Sequence, residues 1–495
     1  MISTTFEKFS SLAETGVIVP VYKEVLADLE TPVSVLARFA DDENLFLLES
    51  VEGGERIGRF SFLGVNPRGL FQVRDGRARF IDATGAGQEL NHQQYPLDAL
   101  RQLISGKSVA RDHELPPLPG GAVGYLGYEA AGMFERLPAP VTAPETPDAE
   151  FMLTDEIIAF DNLRHTMKII VCVHTDEFSS RQAAYDHGVA AVEKIAAKLA
   201  APVPPRPELQ PRLQKTLISS VPDHDHYLRM VEKAREHIRC GDIIQVVLSR
   251  RFTTSCELPA FDLYRALRLV NPSPYNFFLK LGETTLAGSS PETLVRLTGS
   301  NASIRPIAGT RPRGRDEAAD RRLADELLRD DKERAEHLML VDLARNDLGR
   351  TALPGSVQVR SFMNVERYSH VMHLVSDVSS VLRPDADALE LLRTTFPAGT
   401  LSGAPKIRAM EIISELEPAS RGIYGGAVGY LSYDGNMDMA ITIRTMEMRH
   451  GKLYIQAGAG IVADSDPEHE YTETANKAAA LFRALEIANG NLSLV

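Results

Sequence analysis

Residues 452–485 read KLYIQAGAGIVADSDPEHEYTETANKAAALFRAL, a Gly-rich strand that turns through an Asp-rich corner into a helix with acidic first turns. Glu470 and Glu473 stand three residues apart, so they share one helix face. Far upstream, DKERAEHLMLVDLARNDL at 331–348 carries Glu333 and Glu336 at the same spacing on a second helix. Two such pairs suggest a common target. Carboxylate oxygens suit a hard divalent cation that completes its shell with water and an anionic substrate. Spacing alone more often marks solvated helix faces with ion pairs such as Glu473–Lys477, and it is the surrounding sequence that favours the shared target.

Working outward, helical stretches such as DHYLRMVEKAREHIRCG at 225–241 alternate with strands such as IIQVVLSRRFT at 243–253 and TTLAGSS at 284–290. In the first part, LFLLES, GLFQVRD, ARFID and MKIIVCVH are separated by Gly- and Asp-containing turns, the pattern of antiparallel strands. The mixture predicts α+β layers rather than a regular βαβ alternation. APVPPRPELQPRLQK at 201–215 holds five prolines and predicts a linker, which divides the chain into regions 1–215 and 216–495. A second Pro-rich run at 137–148 reads as a long surface loop. GGAVGYLGYE at 120–129 echoes GGAVGYLSYD at 425–434 at eight of ten positions, a hint of equivalent strands in two related sheets.

A chain of 495 residues exceeds the size of one ordinary core. Its net charge of −13 argues against attachment to nucleic acid or to an anionic membrane. Three widely spaced cysteines, Cys172, Cys240 and Cys256, suit a reduced cytoplasmic protein without a disulfide framework. No secretion signal opens the sequence, and no apolar run reaches membrane-spanning length.

The region from about 225 to 485 carries GDIIQVVLSRRF, NPSPYNFF, SSPETL, RPIAGTRPRG, ERAEHLMLVDLARNDLGR, VMHL, FPAGTLSGAPK, IYGGAVGY, AITIRT and QAGAGIVADSDPEHEYTETANKA. In this order they resemble the chorismate-utilising enzymes, and within them the anthranilate synthase component I branch. LLES and PGGAVGYLGYE extend the resemblance thinly into the first part. It implies a two-layered antiparallel β-sheet sandwich flanked by helices, the chorismate-binding enzyme fold. It also implies Mg2+ held by Glu336 and Glu473, with Glu333 and Glu470 in support through water, against the ring carboxylate of chorismate. Arg444 and Tyr424 are expected at the enolpyruvyl carboxylate, for which a planar guanidinium fork is suited. Gly309, Thr310, Gly458, Ala459 and Gly460 are expected to offer backbone groups and close approach, and Lys477 to meet a substrate carboxylate. Glu292 is the expected general acid for loss of the ring hydroxyl, with Thr400 near the leaving oxygen, and His373 the base that removes the ring proton.

Two positions separate relatives. Gln245 replaces the lysine that activates water in isochorismate- and salicylate-forming members, and a neutral amide is no base. Ala308 replaces the lysine that attacks the ring in many aminodeoxychorismate synthases, the nearest rival activity. Both changes favour ammonia as nucleophile and an ortho product. No Cys lies in a Gly-rich elbow, so glutamine use implies a separate amidotransferase subunit (component II), with a heterotetramer expected. LLES and NPSPY resemble the family's tryptophan-feedback motifs, which places Ser50, Pro274, Tyr275 and Asn276 at an inhibitor site. Two rivals from other classes are weaker. GAGIVA at 458–463 matches a loose dinucleotide pattern but is followed by DSDPEHE instead of an apolar helix. A non-catalytic tryptophan-binding module would have no need of Glu292, His373 and both acidic helices.

Overall fold

The computed structural model describes residues 2–50, 58–205, 218–368 and 371–490. Two twelve-stranded sheets with antiparallel ladders stand face to face. One sheet runs from Ile18–Leu26 through Thr166–His174, Glu156–Asp161, Phe60–Val65 and Leu45–Glu49. It continues into Tyr275–Leu281, Thr284–Ser290, Thr445–Arg449, Lys452–Ile461 and Gln245–Ser255. The other has Ile307–Pro312, Val371–Val381, Asn301–Ile304, Thr293–Thr298 and Met437–Ile441 on one side. Ala427–Ser432 then pairs with Gly121–Leu126, and the sheet goes on to Ala149–Thr154 and Gly69–Arg74. Each sheet therefore draws strands from both sides of the Pro-rich stretch, of which residues 206–215 lie outside the described residues.

Period-two patterning explains the sandwich. Along Tyr275–Leu281, Phe277, Leu279 and Leu281 point between the sheets, where they meet Phe46, Tyr125 and Tyr430. Phe278 points the other way, beneath Phe261 and Tyr264 of the Ala260–Val270 helix. Burying each such ring contributes about 1.5–3 kcal/mol. The outer face of the first sheet is covered by the Arg181–Ala200, Ala260–Val270 and Pro467–Gly490 helices. That of the second carries Asp98–Ser105, Asp331–Gly349 and Ala388–Thr395. The α+β sandwich flanked by helices is thus observed.

The sequence echo corrects one expectation. The two copies are neighbours in one sheet rather than equivalents in two, paired antiparallel with Gly124 opposite Gly429. Both glycines are obligatory for packing. A Cβ on Gly124 would lie 1.9 Å from the Glu150 carbonyl oxygen, and one on Gly429 2.0 Å from that of Asp438. Among the described residues no helix is long and apolar enough to cross a membrane.

Candidate active site

Two of the places where the chain passes from one sheet to the other lie side by side, between Ser290 and Thr293 and between Ile441 and Thr445. Backbone hydrogen bonds tie the crossings together: Ser289 N–H donates to Arg444 O (3.1 Å) and Ile441 N–H to Glu292 O (3.0 Å). Glu292 and Arg444 are brought close enough that each perturbs the other's ionisation. Arg444 takes a left-handed backbone conformation, φ 49°, which costs a non-glycine residue about 1–2 kcal/mol. Its Nη1 donates to Asn271 Oδ1 at 3.0 Å.

Glu292 is pushed up to about 7 by burial, against the pull of a hydrogen bond from Thr400 and the charges of Arg444 and Lys477. Thr400 Oγ1 lies 2.9 Å from its Oε1. Near neutral pH this carboxyl holds its proton part of the time, as a general acid must. His373 lies on the strand Val371–Val381, with Nδ1 3.0 Å from Gly309 O and 3.1 Å from Thr310 Oγ1. A carbonyl only accepts, so the network assigns the proton to Nδ1 and leaves the Nε2 lone pair free. Burial, reinforced by Arg444, lowers the His373 pKa and keeps the ring neutral. A weak acid and a neutral base thus both lie in the field of one guanidinium.

The acidic helices converge. Burial raises the Glu336 pKa, and Glu333 and then Glu473 raise it further, with Lys477 and Lys332 opposing. The charge of Glu473 reaches Glu336, so the Pro467–Gly490 and Asp331–Gly349 helices bring these carboxyls into one electrostatic field. Glu470 is raised by burial and by Glu473. His469, Glu470 and Glu473 present ligand atoms within 4.8 Å of one another. Lys477 bridges Glu473 (2.7 Å) and the Gly458 carbonyl (2.9 Å), and Arg311 Nη1 is 3.3 Å from Glu333. The Glu473–Lys477 ion pair expected of solvated helix faces exists, yet Glu333 and Glu473 still raise the pKa of Glu336. Glu336 and Glu470, both raised and both in the field of Glu473, fit a bound divalent cation, whose charge would relieve the repulsion.

The remaining expected residues border the same space. A Cβ on Gly309 (φ 65°) would meet Glu333 Oε2 at 3.1 Å, so the strand Ile307–Pro312, which pairs with that of His373, abuts the acidic helix. A Cβ on Gly458 would lie 2.8 Å from the Tyr424 hydroxyl, and one on Gly460 would lie 2.5 Å from Gln245 Nε2. Both glycines let side chains lie flat on the strand, while Ala459 is buried between them. Tyr424 therefore meets Gly458 directly. Sequence reasoning missed Asn271, Arg311, and the buried pair Glu417 and Arg421. Asn271 opens the NPSPY motif and was within reach; Glu417 and Arg421 carry no motif signal.

A separate cavity of about 340 Å³ lies between the sheets, lined by Ser50, Pro274, Tyr275, Asn276, Phe60 and Arg296 among others. All four residues expected at the inhibitor site border it. Asn276 donates to Ser273 O (3.0 Å), while its buried Oδ1 has no partner among the described residues. Tyr275 hydroxyl is 2.8 Å from Thr293 Oγ1, next to Glu292 in sequence.

Residues 43–483 match the family described as chorismate binding enzyme. Anthranilate synthase component 1 of Acetivibrio thermocellus is 44% identical over 495 residues, 99% of either chain. That of Thermus thermophilus is 46% identical over 477 residues, covering 96% of this chain and 99% of its own. Among solved structures, anthranilate synthase component I from Streptococcus pneumoniae superposes with a TM-score of 0.78 at 36% identity, over 92% of this chain and 98% of that one. The menaquinone-specific isochorismate synthase from Escherichia coli has a TM-score of 0.70 at 22% identity, covering 98% and 99%, and shares the fold.

Proposed function

Because the chain belongs to the chorismate-binding enzyme family, in its anthranilate synthase component 1 branch, we propose that it joins ammonia to chorismate and releases anthranilate and pyruvate. The observation that carries this reading is the protonatable Glu292, hydrogen-bonded to Thr400 and set beside Arg444 at the crossing of the two sheets. Arg444 and Tyr424, the latter seated against Gly458, orient the enolpyruvyl arm, and the Gly309 and Gly458–Gly460 backbone offers polar groups beside the ring. Ammonia forms a bond to ring C2, the ring double bonds shift, and the C4–O bond breaks as Glu292 gives its proton to the departing hydroxyl, which leaves as water; the new ammonium at C2 gives up a proton, which restores Glu292. His373 Nε2 then takes the C2 proton; that electron pair aromatises the ring as the C3–O bond breaks, and the enolpyruvate takes a proton to become pyruvate. Glu336 and Glu473, supported by Glu333 and Glu470, are the residues that would hold Mg2+, which when bound supplies Lewis-acid polarisation of the ring carboxylate.

Gln245 lies against Gly460 with no basic group to activate water, and Ala308 is a buried small side chain opposite Leu374, so neither supplies an alternative nucleophile. In this reading ammonia comes from glutamine through a separate amidotransferase subunit, in a heterotetramer. The Cys172 thiol is buried and pushed up, and burial raises Cys256, so neither is poised for glutamine hydrolysis. With chorismate, Mg2+ and ammonium, the chain alone should yield fluorescent anthranilate and equimolar pyruvate. Glutamine should replace ammonium only after an amidotransferase subunit is added. A para-aminated product, or isochorismate, would sink the assignment.

The inter-sheet cavity suits L-tryptophan as a feedback inhibitor. Phe60, Phe62, Tyr275, Phe277 and Tyr430 give it aromatic faces, and Asn276 Oδ1 offers an acceptor unused among the described residues for an N–H donor. Ser50→Phe fills part of this space, so it should weaken tryptophan inhibition about 5–150-fold, the usual range of allosteric coupling, with uninhibited turnover largely kept. Equal inhibition of variant and parent would remove the site from consideration.

A further inference from the structure

One buried guanidinium holds three walls of the active site at once. Arg421 is 2% exposed and Glu417 5%, and they form a two-pronged ion pair with Nε 2.9 Å from Oε2 and Nη2 2.6 Å from Oε1. Arg421 Nη1 also donates to Leu401 O (2.6 Å) and Nη2 to Val247 O (2.7 Å). Leu401 follows Thr400, the partner of Glu292. Val247 lies on the strand whose register places it opposite Gly460, with Ser249 opposite Gly458. Glu417 Oε1 accepts from both the N–H (2.8 Å) and the hydroxyl (2.9 Å) of Ser249. The guanidinium also stacks over the ring of Tyr128 at 4.5 Å and lies 5.8 Å from that of Tyr424. On the far side, Glu129 accepts the backbone N–H groups of Arg421 (2.6 Å) and Gly422 (2.9 Å).

A planar fork is the side chain that can reach two carbonyls and a carboxylate from one point; an ammonium on a flexible stem cannot reproduce it. A buried pair of this kind contributes little net stability compared with apolar side chains of the same volume, because desolvation offsets its attraction. Its value here is geometric. We infer that Arg421, clamped by Glu417, is a positioning residue that sets Thr400 against Glu292 and Tyr424 against Gly458. This inference rests on the reading of Glu292 as the general acid.

The test separates positioning from mere support of the fold. Glu292 faces Thr400, Arg444 and Lys477, and the Thr400 hydrogen bond favours its ionised form. Releasing Thr400 should therefore raise the Glu292 pKa and move the falling limb of the kcat/KM profile to higher pH. Arg421→Lys in the full-length chain, assayed at fixed free ammonia, should lower kcat/KM about tenfold or more, since it removes hydrogen bonds made by a charged group. It should move that limb upward as far as Thr400→Val does, and the double variant should move it no further. Glu417→Gln keeps the shape and loosens the fork, so it should shift the limb in the same direction by less; this variant serves if Arg421→Lys fails to fold. A drop in rate with an unmoved limb in either folded variant, or additive shifts in the double variant, overturns the inference and leaves the acid assignment intact. Persistence of the falling limb in Glu292→Gln overturns the acid assignment itself and the inference built on it.

Discussion

Glu336→Gln and Glu473→Gln are each expected to lower anthranilate formation on the order of a thousandfold, from the several kcal/mol that metal polarisation supplies and the tenfold per 1.36 kcal/mol of barrier. Each change removes one anionic oxygen donor and leaves the shape of its helix face unaltered. A structural role predicts the opposite balance. Glu336 is held above its ordinary value by burial and by Glu333 and Glu473, so the repulsion it feels is a cost to the metal-free fold. The folded chain binds the Glu336 proton more tightly than the unfolded chain does. Stability from this group is therefore present at low pH and is lost as pH rises through the interval between the ordinary and the raised pKa. Glu336→Gln abolishes that loss. Thermal unfolding without Mg2+ should show the variant at least as stable as the parent at neutral pH, even as its activity collapses. Near-normal turnover in either variant, or a large fall in melting temperature without metal, would contradict this assignment.

Glu292→Gln should lower kcat about 10²–10⁴-fold, the usual contribution of a positioned general acid, with a much smaller change in KM. The amide retains the volume and can still accept from Thr400, but it has no proton for the departing hydroxyl. In the parent, kcat/KM should fall as pH rises through about 7, because the free enzyme's Glu292 ionises there. The corresponding limb in kcat should lie higher, since a bound dianion close to Glu292 disfavours its ionisation. Glu292→Gln should lose the limb in both profiles. Steady-state kinetics at fixed free ammonia across neutral pH would measure this, and an unchanged profile in the variant would falsify the acid role.

Legibility in the sequence depended on how locally each feature is encoded. Glu333 with Glu336, and Glu470 with Glu473, announce themselves because one helix turn brings each pair to one face. The glycines at 458 and 460 mark a strand that other side chains approach, and the structure places Tyr424 and Gln245 there. Period-two alternation revealed the strands but not their order. The echo between 120–129 and 425–434 told of kinship between two strands, yet whether they pair or merely correspond is decided by packing across the sheet, and they pair. Arg421 stayed hidden for a different reason. Its partners include the carbonyls of Val247 and Leu401, and a carbonyl carries no residue-type signature. Asn271 likewise reads as part of a turn until Arg444 is seen to donate to it.

On the proposed reading, one divalent cation is gripped jointly by two helices that lie far apart in the chain. Calorimetric titration of Mg2+ into the protein with chorismate present and ammonia omitted tests it most directly. The account predicts a single class of site in the parent that is lost, or weakened to a similar degree, in Glu336→Gln and Glu473→Gln alike. Undiminished Mg2+ binding in either variant would show that the two helices do not share the ion.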